Sequence, residues 1–295
     1  MKPFFKTKLG SAFNCEIETF LDSDYSRKLV GKVDLIFTSP PFPLVSPKKY
    51  GNKVGEEYLV WLTDIVDKLS NLLKPKGSLV IEIGNAWTKG EPIMSLLPLQ
   101  TLIAISERSN LHVCQQLIWH NPAKLPGPAT WVNIKRERLS DNHTNIWWYS
   151  KTSHPKSNNK KVLVPYSEGM KKLLKTKKYN SGLRPSGHTI GEKSFLKNNS
   201  GAIAGSVISK ANVGYEKEYR EYCLNNDIPL HPARMPISLS DFFINFLTSK
   251  NDLVLDPFGG SCTTGKSAEQ LGRKWIMVEK DKEYLKGASI RFKVK

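Results

Sequence analysis

The stretch DPFGGSCTTGKS, at residues 256–267, follows a short apolar run at 253–255 and carries two glycine signals that predict different folds. Its last eight residues, 260–267, match the phosphate-loop pattern G-x-x-x-x-G-K-[ST], which is typical of nucleoside triphosphate hydrolases. A hydrolase core of that type needs more strands and a magnesium-binding acidic residue after the loop. We expect the 28 residues that follow Ser267 to hold one strand and one helix, so the phosphate-loop interpretation stays an alternative.

The first half of the stretch predicts a different cleft. A strand, a glycine turn and a helix start form the cofactor cleft at the carboxyl end of a parallel sheet. Gly259 and Gly260 allow the backbone to approach a ligand closely, because glycine has no side chain. Glu279 ends the next predicted strand, 19 residues after Gly260, and an acidic residue at that distance suits the two hydroxyls of a ribose. An adenosine-containing cofactor is therefore favoured, and a merely solvated Glu279 is the alternative.

Strands and helices alternate at both ends of the chain. Short apolar runs predict strands at residues 33–37, 78–83, 112–119, 144–149, 253–255 and 275–278. Helical spacing of apolar residues predicts helices at 58–73, 93–108, 239–247, 264–271 and 282–292. Together they indicate an α/β fold with one mostly parallel sheet.

Residues 151–230 interrupt this pattern. They hold fifteen Lys or Arg against six Asp or Glu, a net charge of +9, and they lack long periodic elements. Such a segment is either a basic binding region or a flexible insert. We therefore divide the chain into 1–150, 151–230 and 231–295, with the first and last parts forming one domain.

Charge and composition narrow the class of protein. A net charge of +17 and a pI near 9.6 favour a nucleic acid as partner, although a lysine-rich solvated surface would give the same values. The chain has no run of 18 apolar residues and no apolar N-terminal stretch, so we expect no membrane span, no signal peptide and a cytoplasmic protein. Cys15, Cys114, Cys223 and Cys262 are scattered, which argues against a disulfide framework and against a metal site.

A second motif, TSPPF at residues 38–42, follows the first predicted strand. Pro40 and Pro41 fix two φ angles and remove two N–H donors, which leaves a stiff loop with outward carbonyls. The Ser39 hydroxyl, the carbonyl of Ser39 or Pro40, and the Phe42 ring then lie together. This set can accept hydrogen bonds from an NH₂ group while it stacks on the planar ring that carries the group. A proline-rich turn without function is the alternative.

The two motifs together resemble the amino-methylating DNA methyltransferases. TSPPF before DPFGG, with a basic insert between them, is similar to the order in their β class. The motifs NPAKLPGP, WWYSKT, RPSGH, HPARMP and FGGSCTTG look most similar to the PvuII-type cytosine-N4 enzymes. The resemblance covers nearly the whole chain. It implies a Rossmann-like S-adenosylmethionine-dependent methyltransferase fold with circularly permuted motif order, in which 1–150 is the catalytic half, 151–230 the target-recognition region and 231–295 the cofactor-binding half.

The resemblance also implies roles for single residues. It places Ser39, Pro40, Pro41 and Phe42 at the reacting base, with Trp119 packing nearby, and a core aromatic is the alternative for Trp119. The residues that it implies for S-adenosylmethionine are Asn14, His231, Pro232, Asp256, Phe258, Gly259, Gly260, Ser261, Thr263 and Glu279. Asn14 departs from the family pattern, because many relatives carry an acidic residue there that faces the adenine amine. Cys262 stands where glycine is common.

The implied function is transfer of a methyl group from S-adenosylmethionine to the exocyclic N4 of a cytosine flipped out of double-stranded DNA. Cytosine-C5 methylation is disfavoured, because it needs a cysteine that follows a proline and none of the four does. Ser39 at the first motif position favours cytosine N4 over adenine N6, which is the runner-up. A DNA-binding ATPase using 260–267 and a DNA-binding module without activity are the alternatives from other classes. The family further implies a partner restriction endonuclease, and we expect a monomer.

Overall fold

The computed structural model describes residues 1–43, 53–178, 180–212 and 216–293. The chain divides into two compact units, Met1–Ser157 with Ser206–Lys295, and Asn158–Gly205. The first unit contains both sequence motifs, and the second lies within the basic region at 151–230. No helix in the described ranges is long and apolar enough to cross a membrane.

The first unit is built on a sheet that has nine strands within the described part of the chain. The strands of both units, numbered along the chain, are β1 (Phe5–Lys6), β2 (Gly10–Asn14), β3 (Val33–Thr38), β4 (Leu73–Gly84), β5 (Ala86–Trp87), β6 (Met94–Ser95), β7 (His112–His120), β8 (His143–Ser150), β9 (Gly182–Leu183), β10 (Thr189–Ile190), β11 (Val207–Ser209), β12 (Leu253–Asp256) and β13 (Lys274–Glu279). The order in the large sheet is β1-β2-β13-β12-β3-β4-β8-β7-β11. The run from β2 to β4 is parallel throughout, whereas β8 is antiparallel to both of its neighbours. The sheet is therefore mostly parallel, as the sequence predicts.

Helices cover both faces of this sheet. The helices are α1 (Ile17–Leu21), α2 (Asp24–Arg27), α3 (Gly55–Ser70), α4 (Leu97–Arg108), α5 (Glu168–Thr176), α6 (Lys217–Asn225), α7 (Ile237–Leu247), α8 (Thr263–Gln270) and α9 (Lys282–Ser289). Apolar residues of α1, α3 and α4 form one core with one face of the sheet, and those of α7, α8 and α9 form a second core with the other face. A strand between two cores is buried on both faces, which is why β3 is a continuous buried run instead of an alternating one.

Several elements differ from the sequence-based prediction. The short elements β1, β2, α1 and α2 were not predicted, and β4, α5 and α6 differ for identifiable reasons. Strand β4 begins at Leu73, which the sequence predicted as the end of a helix at 58–73. Helix α3 ends at Ser70 instead, and Leu73 pairs with Val33 of β3. Helices α5 and α6 lie in the region expected to lack long periodic elements. Helix α5 buries no residue and α6 buries two. Each has only nine residues, so neither forms a long periodic element in the sequence, although Met170, Leu173 and Leu174 of α5 recur at helical spacing.

The sheet topology brings the two motifs together. Strands β3 and β12 are parallel neighbours, with Leu35 of β3 paired to Val254 of β12. The carboxyl ends of parallel neighbours lie at the same edge of a sheet, and ligands of open α/β sheets bind outside that edge. The motif at 38–42 and the glycine loop after Asp256 therefore emerge side by side, although more than 200 residues separate them in sequence.

The second unit is small and basic. Its 48 residues include ten Lys or Arg and two Glu. Helix α5 is capped at its N-terminus by the Ser167 hydroxyl, which accepts a hydrogen bond from the N–H of Met170. Strands β9 and β10 form a two-stranded antiparallel hairpin around the RPSGH turn. The assignment of the basic region to target recognition stays a prediction.

Candidate functional site

A cavity of about 930 Å³ opens at the carboxyl edge of the parallel strands. It brings together residues that the sequence predicted from five separate segments: Ser39, Pro40, Pro41, Phe42, Trp119, His231, Pro232, Asp256, Phe258, Gly259, Gly260, Ser261, Thr263 and Glu279. Asn14 is the one predicted site residue that does not line it. The cavity is thus shared between the proline motif and the glycine loop.

Ser39 is tied to a buried acid that sequence reasoning missed. The Ser39 hydroxyl donates a hydrogen bond of 2.5 Å to Oε2 of Glu82, which lies two residues before the end of β4 and also lines the cavity. Burial raises the pKa of Glu82, against the hydroxyls of Ser39 and Thr144 and the charge of Lys124, which lower it. A single acidic residue inside the apolar run SLVIEI is the signal that could have identified Glu82.

The Phe42 ring lies directly against Gly84, the last residue of β4. A Cβ atom added at Gly84 would lie 2.6 Å from Cε2 and 2.8 Å from Cδ2 of that ring. Carbon atoms in proteins prefer separations of about 3.5–4.0 Å, and both distances are far shorter, so only glycine leaves room for the ring in this position. The strand that supplies Glu82 therefore also sets where the ring of Phe42 can lie.

Asp256 links the two motifs directly. Its Oδ1 accepts hydrogen bonds from the Thr38 hydroxyl at 2.7 Å and from the Phe258 N–H at 3.1 Å, and its Oδ2 accepts one from the Thr264 hydroxyl at 2.8 Å. Burial raises the pKa of Asp256 to about 6, against these three hydrogen bonds. The carboxylate holds the end of β3, the glycine loop and the start of α8 in one arrangement.

Glu279 shapes the glycine loop from the neighbouring strand. Its Oε2 accepts a hydrogen bond of 2.7 Å from the N–H of Gly260, and its Oε1 accepts one of 2.8 Å from the N–H of Asp281. Burial raises the pKa of Glu279, against both of these hydrogen bonds. Gly260 has a φ of +49°, and a Cβ there would lie 2.9 Å from Nε2 of His231, so both backbone and space require glycine.

Asn14 and Cys262 lie beside the cavity in supporting positions. The Asn14 amide donates hydrogen bonds to the carbonyls of Glu279 at 3.0 Å and Lys280 at 2.8 Å, which fixes the turn after β13. Cys262 is buried before α8 with a φ of +56°. That left-handed conformation favours glycine, which gives a physical reason for the glycine that the family commonly has there.

An aromatic and acidic pair on the other side of the glycine loop was not predicted. The Trp61 ring of α3 lies 5.7 Å from the Phe258 ring, and its indole N–H donates a hydrogen bond of 2.7 Å to Oε1 of Glu18 in α1. All three residues line the cavity. No local pattern marks Trp61 or Glu18, because only the packing of α1 against α3 brings them together.

Trp119 lies both in the wall of the cavity and in the second core. It lines the cavity and is 8% exposed within the second core. Its indole N–H donates a hydrogen bond of 2.8 Å to the carbonyl of Lys210. The indole N–H is therefore occupied by a backbone carbonyl, and the ring can contribute to the cavity wall only through apolar packing.

Lys266 and Ser267, the lysine and serine of the phosphate-loop pattern, do not face the cavity. Lys266 donates a hydrogen bond of 2.6 Å to the carbonyl of Arg291, and Ser267 donates one to Asp241. Neither residue lines the cavity. A phosphate loop needs this lysine and this hydroxyl at the nucleotide, so the geometry favours the cofactor cleft over the ATPase alternative.

The lining of the cavity fits the cofactor that the sequence implies. Carboxylates of Glu18, Glu82, Asp256 and Glu279 face a common space, and negative charge of that kind stabilises a cationic sulfonium. Phe258 and Trp61 offer ring faces for an adenine, and each oxygen of Glu279 keeps a lone pair for a ribose hydroxyl. Within residues 1–43, 53–178, 180–212 and 216–293, no cluster of His, Cys, Asp or Glu could hold a metal ion.

Comparison with known proteins identifies what this chain is similar to. A family profile described as DNA methylase, of the N6 and N4 type, matches residues 33–290. The chain is 40% identical over 293 residues to the type II methyltransferase M.PvuII of Proteus hauseri, across 99% of this chain and 86% of that protein.

Two solved structures resemble it as well. The PvuII DNA methyltransferase (cytosine-N4-specific) matches with a TM-score of 0.79 at 33% identity, across 99% of this chain and 89% of that one. The M1.HpyAVI–SAM complex matches with a TM-score of 0.60 at 22% identity, across 97% of this chain and 100% of that one, and so shares the fold.

Proposed function

The chain belongs to the N6/N4 DNA methylase family, and on that premise we propose that it transfers a methyl group from S-adenosylmethionine to N4 of a flipped-out cytosine in double-stranded DNA. The observation that carries the proposal is the shared cavity, in which Ser39 and Phe42 lie beside the glycine loop. Thr38, the residue before Ser39, is joined to that loop through Asp256. A methyl acceptor and a methyl donor need such a shared site, because transfer in line depends chiefly on positioning.

The proline motif positions the target base. Phe42 stacks on the ring of the extruded cytosine, and the carbonyl of Ser39 or Pro40 accepts a hydrogen of the exocyclic amine. Oγ of Ser39 accepts the other hydrogen, which it can do because its own proton is directed to Glu82. These hydrogen bonds draw the amine nitrogen towards tetrahedral geometry and free its lone pair, which is otherwise conjugated with the ring.

Glu82 provides a place for the proton that the reaction releases. When the N–CH₃ bond forms, N4 becomes cationic and must lose one of its two hydrogens. We infer that this proton passes to Oγ of Ser39 while the hydroxyl proton of Ser39 passes to Oε2 of Glu82. Burial raises the pKa of Glu82, which makes this carboxylate a better proton acceptor than an exposed glutamate.

The glycine-loop side of the cavity holds the donor. S-adenosylmethionine, when bound, would supply an electrophilic methyl group, and its sulfur would keep the electron pair of the broken carbon–sulfur bond. The Glu279 carboxylate would accept hydrogen bonds from the ribose hydroxyls, and Phe258 and Trp61 would pack on the adenine. The segment at His231 and Pro232 would hold the methionine end. The arrangement needs no covalent bond between base and enzyme, consistent with the absence of a Pro-Cys pair.

Target recognition is assigned to the basic region at 151–230. Its net charge of +9 would neutralise DNA phosphates, which supplies sequence-independent affinity and register. The proposal extends to a partner restriction endonuclease, because the matched relative M.PvuII is a type II methyltransferase. We also propose that the protein acts as a monomer, which methylates one DNA strand each time it binds. Its location would be the cytoplasm, where prokaryotic DNA lies.

The decisive experiment is methylation of plasmid DNA by the purified protein, followed by nucleoside mass spectrometry and mapping of the modified position. The expected product is N4-methylcytosine at a short site. Ser39→Ala serves as the matched control and should yield little product. Recovery of N6-methyladenine would show that the target is adenine N6 instead of cytosine N4. In a binding titration, tight binding of ATP–magnesium without binding of S-adenosylmethionine would refute the assignment as a methyltransferase.

A further inference from the structure

A long connection beside the cavity displays unusually exposed apolar side chains. Residues 121–142 join β7 to β8, and both ends of the connection line the cavity through residues that include Lys124 and Asp141. Leu125 is 84% exposed and Leu139 is 90% exposed, the two highest values for large apolar residues in the described part of the chain. Single exposed apolar residues are common, but here both occur on one connection that borders the cavity.

Leu125 is held on a restrained backbone at the rim of the cavity. It directly follows Lys124 and precedes Pro126, and the cavity lining resumes at Gly127. The N–H of Lys124 donates to the carbonyl of Asn121 at 3.2 Å, and the Asn133 amide donates to the carbonyl of Pro126 at 3.2 Å. A residue before proline is confined to extended conformations. The leucine is therefore displayed outward by a backbone that is fixed on both sides.

The charges on the connection that carries Leu125 indicate which kind of partner this residue contacts. Lys124, Lys135, Arg136 and Arg138 lie on the same connection, which carries two acidic residues, Glu137 and Asp141. Arg138 is stacked over the Trp87 ring at 3.0 Å from its centroid, and Trp87 also lines the cavity. An exposed aliphatic tip on a connection that carries four cations and borders the cavity is complementary to duplex DNA, whose exterior is anionic and whose stacked interior is apolar.

We propose that Leu125 enters the base stack of duplex DNA and fills the space left by the extruded cytosine. This inference rests on the proposed function and adds a residue that touches the DNA at the flipped position but not the reacting atoms. Extrusion unstacks and unpairs the target base, which costs free energy. Apolar side chains inserted between base steps are a known means of stabilising such distorted DNA. Leu125 would thus lower the cost of bringing the cytosine to Ser39 and Phe42.

The test measures single-turnover methylation of two synthetic duplexes that carry the site mapped in plasmid DNA. In one duplex the target cytosine faces guanine, and in the other it faces an abasic residue, so that no base pair must be broken. We expect Leu125→Ala to slow transfer about tenfold or more on the paired duplex and no more than about twofold on the abasic one. Leu125→Met, which keeps an apolar tip of similar length, should retain most of the rate on both.

Leu139→Ala is the matched control, because Leu139 is an equally exposed leucine on the same connection. Its rate should stay within about twofold of the wild type on both duplexes. Wild-type rates for Leu125→Ala on the paired duplex, an equal loss on both duplexes, or the same loss for Leu139→Ala would each overturn the assignment. Failure of the wild-type protein to methylate either duplex would instead count against the proposed function itself.

Discussion

Substitution of Gly84 by alanine should slow methyl transfer on the order of 100-fold, because a displacement of about 1 Å at the reacting groups can cost that much. The added Cβ would lie 2.6 Å from Cε2 and 2.8 Å from Cδ2 of Phe42. Since carbon atoms prefer separations of about 3.5–4.0 Å, the ring must retreat by roughly 1 Å. The ring would then no longer lie where it stacks on the cytosine held by Ser39.

The same substitution should leave the fold nearly as stable as before. Gly84 lies in strand β4 and has no positive φ, so its backbone suits alanine. Replacing a glycine of this kind reduces the entropy of the unfolded chain and stabilises by about 0.4–1 kcal/mol, which offsets part of the cost of moving the ring. Thermal unfolding and titration with S-adenosylmethionine should therefore both stay close to the wild type, while the single-turnover rate falls.

A double-mutant cycle with Phe42→Ala tests whether the effect passes through the ring. Once Phe42 is an alanine, the methyl group at position 84 has nothing to displace, so Gly84→Ala should cost little further rate in that background. A Gly84→Ala protein with a rate within about threefold of the wild type would refute the steric argument. An undiminished loss in the Phe42→Ala background would show that the methyl group acts by another route.

Three further predictions concern the role of Ser39 at the target base, the transfer of a proton to Glu82, and the salt dependence of DNA binding. Ser39→Ala should cut turnover with nearly unchanged affinity for S-adenosylmethionine, measured by titration calorimetry; loss of cofactor binding would mean that Ser39 has a different role. The single-turnover rate should rise with pH through an apparent pKa above the ordinary glutamate value of 4.5, because Glu82 accepts a proton only when it is ionised and burial raises its pKa. The Glu82→Gln variant should be slow, and its rate should not rise with pH in this range. An unchanged pH profile in that variant would exclude proton transfer from Ser39 to Glu82. DNA affinity should fall steeply as the salt concentration rises. Replacing Lys171, Lys172 and Lys175 of α5 by glutamine should reduce the slope of the logarithm of the DNA-binding constant against the logarithm of the salt concentration by up to about 2.7, at about 0.9 per lost phosphate contact. An unchanged slope in the triple variant would argue against α5 as part of the DNA-binding surface.

Much of the fold follows from local sequence. The buried runs of β3 and β12 are short, apolar and bounded by proline or glycine, so their identity as strands does not depend on distant residues. The spacing of Gly260 and Glu279 likewise reports a strand, a turn and a helix in succession. The two helices in the basic region escaped prediction because each has only nine residues and most of them are charged or polar.

The chemistry of the site depends on contacts that sequence does not display. The hydrogen bond between Ser39 and Glu82 joins residues 43 positions apart, and that between Thr38 and Asp256 joins residues 218 positions apart. Such pairs arise only when β3 takes its place between β4 and β12 in the sheet. Asn14 shows the same dependence, since register with Glu279 turns its amide to the backbone after β13 and not into the cavity.

The stretch at 256–267 by itself determined that a strand, a glycine turn and a helix follow one another, because steric and periodic rules act within a few residues. It could not decide between a phosphate and an adenosine ligand, since both clefts use that local geometry. The tertiary structure separates them. It directs Lys266 to the carbonyl of Arg291 and Ser267 to Asp241, while Glu279 and Phe258 face the cavity beside Ser39. Which side chains meet across a sheet is set by strand order, and strand order is a property of the folded chain.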